Sequence, residues 1–95
     1  MTTLNQIASK IVKEQELIIG PLAWTEASKV LGLKVSQSDH EIVFANGDQK
    51  ETINRLVNQY ESIFGRASRE VSRNAVAKML VELSPGDVPS SLLSI

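Results

Sequence analysis

Three arginines in the last third of the chain are spaced so that they can act together. Arg66, Arg69 and Arg73 recur at steps of three and four residues, which places them on one face of a helix. Glu70 is the only acidic residue between them. Guanidinium groups suit bidentate contact with carboxylate or phosphate. We therefore expect this arginine stripe to bind an acidic partner. The alternative is a solvated face that pairs with Glu61, with Glu70 or with an acidic tail.

Catalytic chemistry has weaker support in the sequence. His40 is the only histidine, and it lies in a predicted turn between Asp39 and Glu41. Neighbours on a strand point to opposite faces, so these carboxylates do not form an oriented pair with the imidazole. The chain has no cysteine, no nucleophile elbow and no phosphate-binding loop. We therefore predict a protein that is not an enzyme, with no metal and no cofactor.

Trp24 is the only tryptophan and is a candidate for apolar contact. It lies at the edge of the apolar arc of a predicted helix. Tryptophan is enriched at binding hot spots, so a half-exposed Trp24 would mark an interface. Packing in the core is the other interpretation of this residue.

Residues 25–33, Thr-Glu-Ala-Ser-Lys-Val-Leu-Gly-Leu, resemble the first helix and turn of helix-turn-helix proteins. In that motif a small residue precedes a glycine by four positions and an apolar residue follows it; these positions hold Ser28, Gly32 and Leu33. The resemblance covers nine residues and implies a nucleic-acid-binding regulator. Beyond these nine residues the sequence departs from the motif, because Ser38 and Glu41 stand where the recognition helix needs apolar residues.

The hydrophobic pattern predicts an α+β fold of two helices, a β-hairpin and an amphipathic helical hairpin. The predicted helices cover residues 4–19 and 21–31, and the predicted strands cover 33–36 and 41–45. The helical hairpin runs from Asp48, its predicted cap, to Leu83 and turns at Gly65. These segments form one domain over residues 1–83. A tail over residues 84–95 is predicted to be irregular or to dock.

Length and composition limit the classes of function that remain. The chain has 95 residues and a net charge of −1, so its overall charge gives no reason to expect nucleic acid or membrane as a partner. No apolar run approaches the roughly 20 residues that span a bilayer. We expect a cytoplasmic protein.

These observations favour a small protein-interaction module, either a regulatory or adaptor domain or a subunit of an assembly. Binding is expected through the last two helices, with the arginine stripe supplying charge and Trp24 or the tail supplying apolar contact. A homodimer is also expected, because the apolar stripes exceed what so small a chain can bury. The alternative is a nucleic-acid-binding regulator that uses the same arginines or residues 25–33.

Overall fold

The computed structural model describes residues 3–36, 38–45 and 47–92. Its helices and strands follow the predicted order: α1 (Thr3–Ile19), α2 (Leu22–Ala27), β1 (Leu33–Ser36), β2 (Glu41–Phe44), α3 (Gln49–Phe64) and α4 (Arg66–Leu80). Two short 3₁₀ turns, Pro85–Asp87 and Ser90–Leu92, follow. The predicted α+β class is therefore confirmed.

α2 is shorter than the sequence pattern predicts. The helix ends at Ala27, and the prediction that it reaches residue 31 is wrong. Two tight turns take the place of the last part of the predicted helix. In the first, the backbone N–H of Val30 donates to the Ala27 carbonyl, and in the second, the backbone N–H of Leu33 donates to the Val30 carbonyl. These turns bury Val30 but leave Leu31 76% exposed. Leu31 therefore does not continue the apolar face of the helix.

The helical hairpin begins and turns where its sequence predicts, but α4 ends at Leu80, so the prediction that the hairpin reaches Leu83 is wrong. The Asp48 carboxylate accepts the backbone N–H groups of Lys50 and Glu51 at 2.9 and 3.2 Å, which satisfies donors that the first turn of α3 leaves free. Gly65 separates α3 from α4 with φ +88°, a conformation that is costly for any residue with a Cβ.

α1 and α3 both run antiparallel to α4. The Gln15 side chain on α1 donates to the Ser68 carbonyl at 2.9 Å and to the Ser72 hydroxyl at 3.0 Å. This places the C-terminal half of α1 beside the first turns of α4. At the opposite end, Met79 lines a depression together with Ser9. Because α3 and α4 form a hairpin, α1 and α3 end on the same side of the molecule.

The core lies between the helices and one face of the hairpin. In the hairpin, Leu33 pairs with Phe44 and Val35 with Ile42, so these four side chains share the covered face. The tail also contributes, since Leu92 is buried and the Ser91 N–H and hydroxyl both donate to the side-chain oxygen of Asn54. The tail thus packs on this chain's own α3 as far as Leu92. Residues 93–95, the end of the tail that is predicted to be irregular or to dock, lie outside the described residues.

Tyr60 links α3 to α2 inside this core. Its buried hydroxyl donates to the Ala23 carbonyl at 2.6 Å. Burial raises the pKa of Tyr60 above its usual value, and the nearby Glu26 carboxylate raises it further. The neutral phenol is therefore the form that the fold stabilises.

Replacing Gly32 with alanine should destabilise the protein more than replacing Gly47. Both glycines have positive φ, so each substitution costs about 1–2 kcal/mol for the left-handed backbone. A Cβ on Gly32 would also lie 2.7 Å from Oγ1 of the buried Thr52, whereas a Cβ on Gly47 meets no atom within 4 Å. We expect Gly32→Ala to lose at least about 1 kcal/mol more in urea unfolding. Equal losses would contradict this account of Gly32.

Tyr60→Phe should lower stability at neutral pH and flatten its alkaline dependence. Loss of the hydrogen bond to Ala23 should cost about 1 kcal/mol. A raised pKa in the folded state gives stability that is complete below the unfolded pKa, about 10, and is lost as pH rises above it, by up to ~1.4 kcal/mol per pH unit. The wild-type free energy of unfolding should therefore fall more steeply than that of Tyr60→Phe between about pH 9 and pH 11. Parallel curves would mean that Tyr60 ionises as easily in the folded protein as in the unfolded chain.

Candidate functional site

The arginine stripe lies at the start of α4, where that helix packs against the end of α3. Its three side chains line a depression of about 300 Å³ together with Glu61 of α3 and Glu70 of α4. The structure therefore brings Arg66, Arg69 and Arg73 together, and it places two carboxylates among them. Three guanidinium groups against two carboxylates leave one excess positive charge in the depression.

Arg69 is held in place by α3. Its Nε lies 3.2 Å from Glu61 Oε1, and its Nη2 donates to Asn58 Oδ1 at 3.0 Å. The Nε is buried, and its hydrogen has no aligned acceptor among the described residues. Arg69 and Glu61 thus form a close ion pair with imperfect hydrogen-bond geometry. Arg69 therefore lines the depression in a fixed position, and Glu61 partly neutralises its charge.

Arg66 and Arg73 make fewer polar contacts than Arg69. Arg73 Nη2 lies 4.0 Å from Glu70 Oε1, and the Glu70 side chain is 63% exposed. A pair this long and exposed to solvent contributes little energy. Arg66 is exposed and has no ion pair within the described part of the chain. Both side chains therefore keep guanidinium donors available for an anionic group.

Trp24 belongs to the core. It is only 2% exposed, and its indole stacks on the His40 imidazole with ring centroids 4.5 Å apart and planes 11° from parallel. This corrects the interpretation of Trp24 as an apolar contact for a partner. His40 adopts φ +53°, so the turn places its ring over the indole at the expense of an uncommon backbone conformation.

Residues 25–33 do not form a helix-turn-helix. β1 begins at Leu33, and the hairpin occupies the positions where a recognition helix would lie. Glu26 is buried, where it accepts hydrogen bonds from Lys29 and from Gln59 of α3. These two hydrogen bonds, first that of Lys29, lower the pKa of Glu26. The segment therefore packs on α3 and does not present a helix to a groove.

Sequence reasoning missed a group of exposed apolar side chains at one end of the molecule. They lie in the last turns of α1 and α3 and the first turn of α2, and we call them the end patch: Leu17, Ile18, Leu22 and Ile63. The periodicity of α1 and α3 assigns Ile18 and Ile63 to the core stripes. Their exposure depends on where the neighbouring helices stop, which periodicity does not report.

No group of three or more histidine, aspartate or glutamate residues in the described ranges could hold a metal ion. Likewise, none of the helices described is long and apolar enough to cross a membrane. Comparison of the chain with protein-family models, curated proteins and solved structures found no match. The function must therefore be argued from the chemistry of the surface itself.

The stacking of His40 on Trp24 can be tested by fluorescence, because Trp24 is the only tryptophan. His40→Ala should shift the emission to longer wavelength and increase quenching by acrylamide, because removal of the imidazole uncovers one face of the indole. Glu41→Ala, an exposed neighbour in the same hairpin, should leave both unchanged. Emission from His40→Ala that matches the wild type would show that other groups shield the indole.

Proposed function

We propose that this protein is a small non-catalytic interaction module that binds an acidic segment of another protein through the arginine stripe. The observation that carries the proposal is the depression between α3 and α4, in which Arg69 is fixed while Arg66 and Arg73 keep donors available. A regulatory or adaptor domain, or a subunit of a cytoplasmic assembly, would use such a surface.

The arrangement suits carboxylates for two reasons. Arg69 is already positioned by Glu61 and Asn58, so binding does not have to order that side chain. Arg73 can exchange its long contact with Glu70 for a shorter, charge-assisted hydrogen bond at little cost. A partner carboxylate placed between Arg66 and Arg73 would also relieve the repulsion between neighbouring guanidinium groups.

A protein partner is favoured over nucleic acid by the charge balance. Tight binding to a nucleic-acid backbone typically neutralises about 6–10 phosphates. The depression has one excess positive charge, and the whole chain has a net charge of −1. Glu61 and Glu70 would also face the phosphates. An acidic protein segment needs fewer contacts and can add apolar ones.

Arg73→Glu should weaken partner binding and leave folding nearly intact. Its only ion pair within the described residues is the 4.0 Å contact with Glu70, so the stability change should stay within about 0.5 kcal/mol. Loss of a charge-assisted hydrogen bond should weaken binding roughly 10- to 100-fold. Lys34→Glu makes the same charge change at an exposed position on β1 and should have no effect.

The measurement is capture of partners from native lysate by the tagged full-length chain, with and without nuclease. We expect capture of protein that survives nuclease, falls with Arg73→Glu and persists with Lys34→Glu. Capture that requires intact nucleic acid and declines steeply with salt would replace this proposal with the nucleic-acid-binding alternative. Equal capture by both variants would reject the arginine stripe as the binding surface.

A further inference from the structure

A second depression adjoins the exposed face of α3. It has a volume of about 410 Å³ and lies between α3 and the turns that follow α2, and we call it the loop depression. Lys29, Leu31, Arg55 and Asn58 are among the residues that line it. Asn58 also accepts a hydrogen bond from Arg69, which lines the depression of the arginine stripe. The two depressions are therefore neighbours, and the contact between Asn58 and Arg69 marks their boundary.

The loop depression has cationic donors that the protein itself leaves available. Arg55 is exposed and has no ion pair in the described ranges. Its guanidinium group makes one hydrogen bond to a described residue, from Nη1 to the Leu31 carbonyl at 3.4 Å, which is longer than the usual limit of about 3.2 Å. Lys29 pairs with the buried Glu26 at 3.0 Å, but its side chain is 59% exposed and has further N–H donors. Leu31 is 76% exposed and adds apolar surface beside these cations.

Asn58 gives the boundary between the depressions the chemistry of a peptide contact. A guanidinium group only donates hydrogen bonds, so the 3.0 Å contact with Arg69 identifies the accepting atom as Oδ1 and fixes the orientation of the amide. The Nδ2 group then has no hydrogen-bond partner among the described residues, and Asn58 is exposed. Extended segments bind largely through their main-chain polar groups. The fixed N–H donors of Asn58 therefore suit a backbone carbonyl of such a segment.

We infer that the acidic segment bound by the arginine stripe continues across α3 and fills the loop depression as well. Its carboxylates pair with the arginine stripe at one end and with Lys29 and Arg55 at the other, while one of its backbone carbonyls accepts from Asn58. The inference rests on the proposed function, because it extends the same surface and names the form of the partner.

Charge complementarity supports a single acidic occupant of both depressions. Five cationic side chains line the two depressions, against the two carboxylates of Glu61 and Glu70. The buried Glu26 offsets part of the charge of Lys29, which leaves an excess of about two positive charges. Nucleic acid fits this surface less well, because its tight binding typically neutralises about 6–10 phosphates and both carboxylates would face them.

The distance between the depressions sets the spacing of the acidic groups in the partner. Arg55 lies beside the turns after α2, and Glu61, six residues later on α3, lies beside α4. Six residues of helix correspond to a rise of about 9 Å. With the width of the helix added, an extended chain crosses in about four residues at ~3.3 Å each. The expected partner segment therefore has two acidic clusters about four residues apart, with an apolar residue that contacts Leu31.

The first test measures the affinity of the full-length chain for two synthetic peptides of identical composition by isothermal titration calorimetry. The split peptide has two pairs of glutamates separated by a leucine and three serines, whereas the joined peptide has all its glutamates together. We expect the split peptide to bind at least roughly tenfold more tightly, because its second contact is made within one molecule. Arg55→Glu should abolish this advantage. Lys34→Glu, the same charge change at an exposed position on β1, should keep it.

The second test isolates the amide of Asn58. Asn58→Asp keeps an oxygen that accepts from Arg69, but it removes both N–H donors and adds a negative charge. Ser62→Asp adds the same charge one turn further along the exposed face of α3 and leaves the amide intact. Asn58→Asp should therefore weaken binding of the split peptide roughly tenfold more than Ser62→Asp does. Far-ultraviolet circular dichroism should show the wild-type helix content for every variant.

Equal affinity for the two peptides, absence of binding by both, or an unchanged advantage in Arg55→Glu would overturn the inference. Equal losses in Asn58→Asp and Ser62→Asp would overturn the role of Asn58. A single-stranded DNA oligonucleotide that displaces the split peptide at equal concentration and physiological salt would replace the acidic segment with nucleic acid. The proposed function is decided separately, because Arg73→Glu should lower partner capture whether or not the loop depression is used.

Discussion

The buried amide of Gln15 sets the position of α1 against α4. Gln15 is 1% exposed, and both serines that it contacts on α4 are also buried. A buried amide that loses its partners costs several times more than a hydrogen bond contributes, so only one register of the two helices is favourable. That register decides where α1 ends relative to α3, and so creates the end at which Ile18 and Ile63 are both exposed.

The same contact orients the faces of α4. Its buried positions are Ser68, Ser72 and Val76, four residues apart. Serine side chains are short, so α1 can approach closely while their hydroxyls remain hydrogen-bonded. The arginines then lie on the flank of α4 that adjoins α3, where Asn58 and Glu61 hold Arg69. The polar packing face and the basic depression are therefore two consequences of one helix orientation.

The β-hairpin depends on the helices in a different way. Two strands alone are marginal in water, and this hairpin packs through Leu33 and Ile42, which are both buried. In return, its turn places His40 over Trp24. The hairpin thus closes the side of the core that holds α2, which explains why the only tryptophan is buried in so small a protein.

Local signals in the sequence determined most of the elements. The cap at Asp48, the turn at Gly65 and the alternation in β1 act through neighbouring residues, and the structure has each of them where it was predicted. The spacing of the arginines likewise placed them on one face. These features involve contacts within a few residues along the chain, which a single sequence reports well.

The tertiary structure alone decided which apolar and polar side chains are covered. Val71, Ala75 and Met79 recur every four residues and by spacing alone would form the core stripe of α4. The helix is instead rotated so that Ser72 and Val76 are fully buried and those three only partly. Trp24 is covered by a ring sixteen residues away, and Ile18 and Ile63 are exposed because their neighbours stop short. Whether a side chain is buried depends on which helices and strands pack against it. That packing depends in turn on contacts between residues far apart in the chain, such as Gln15 and Ser72.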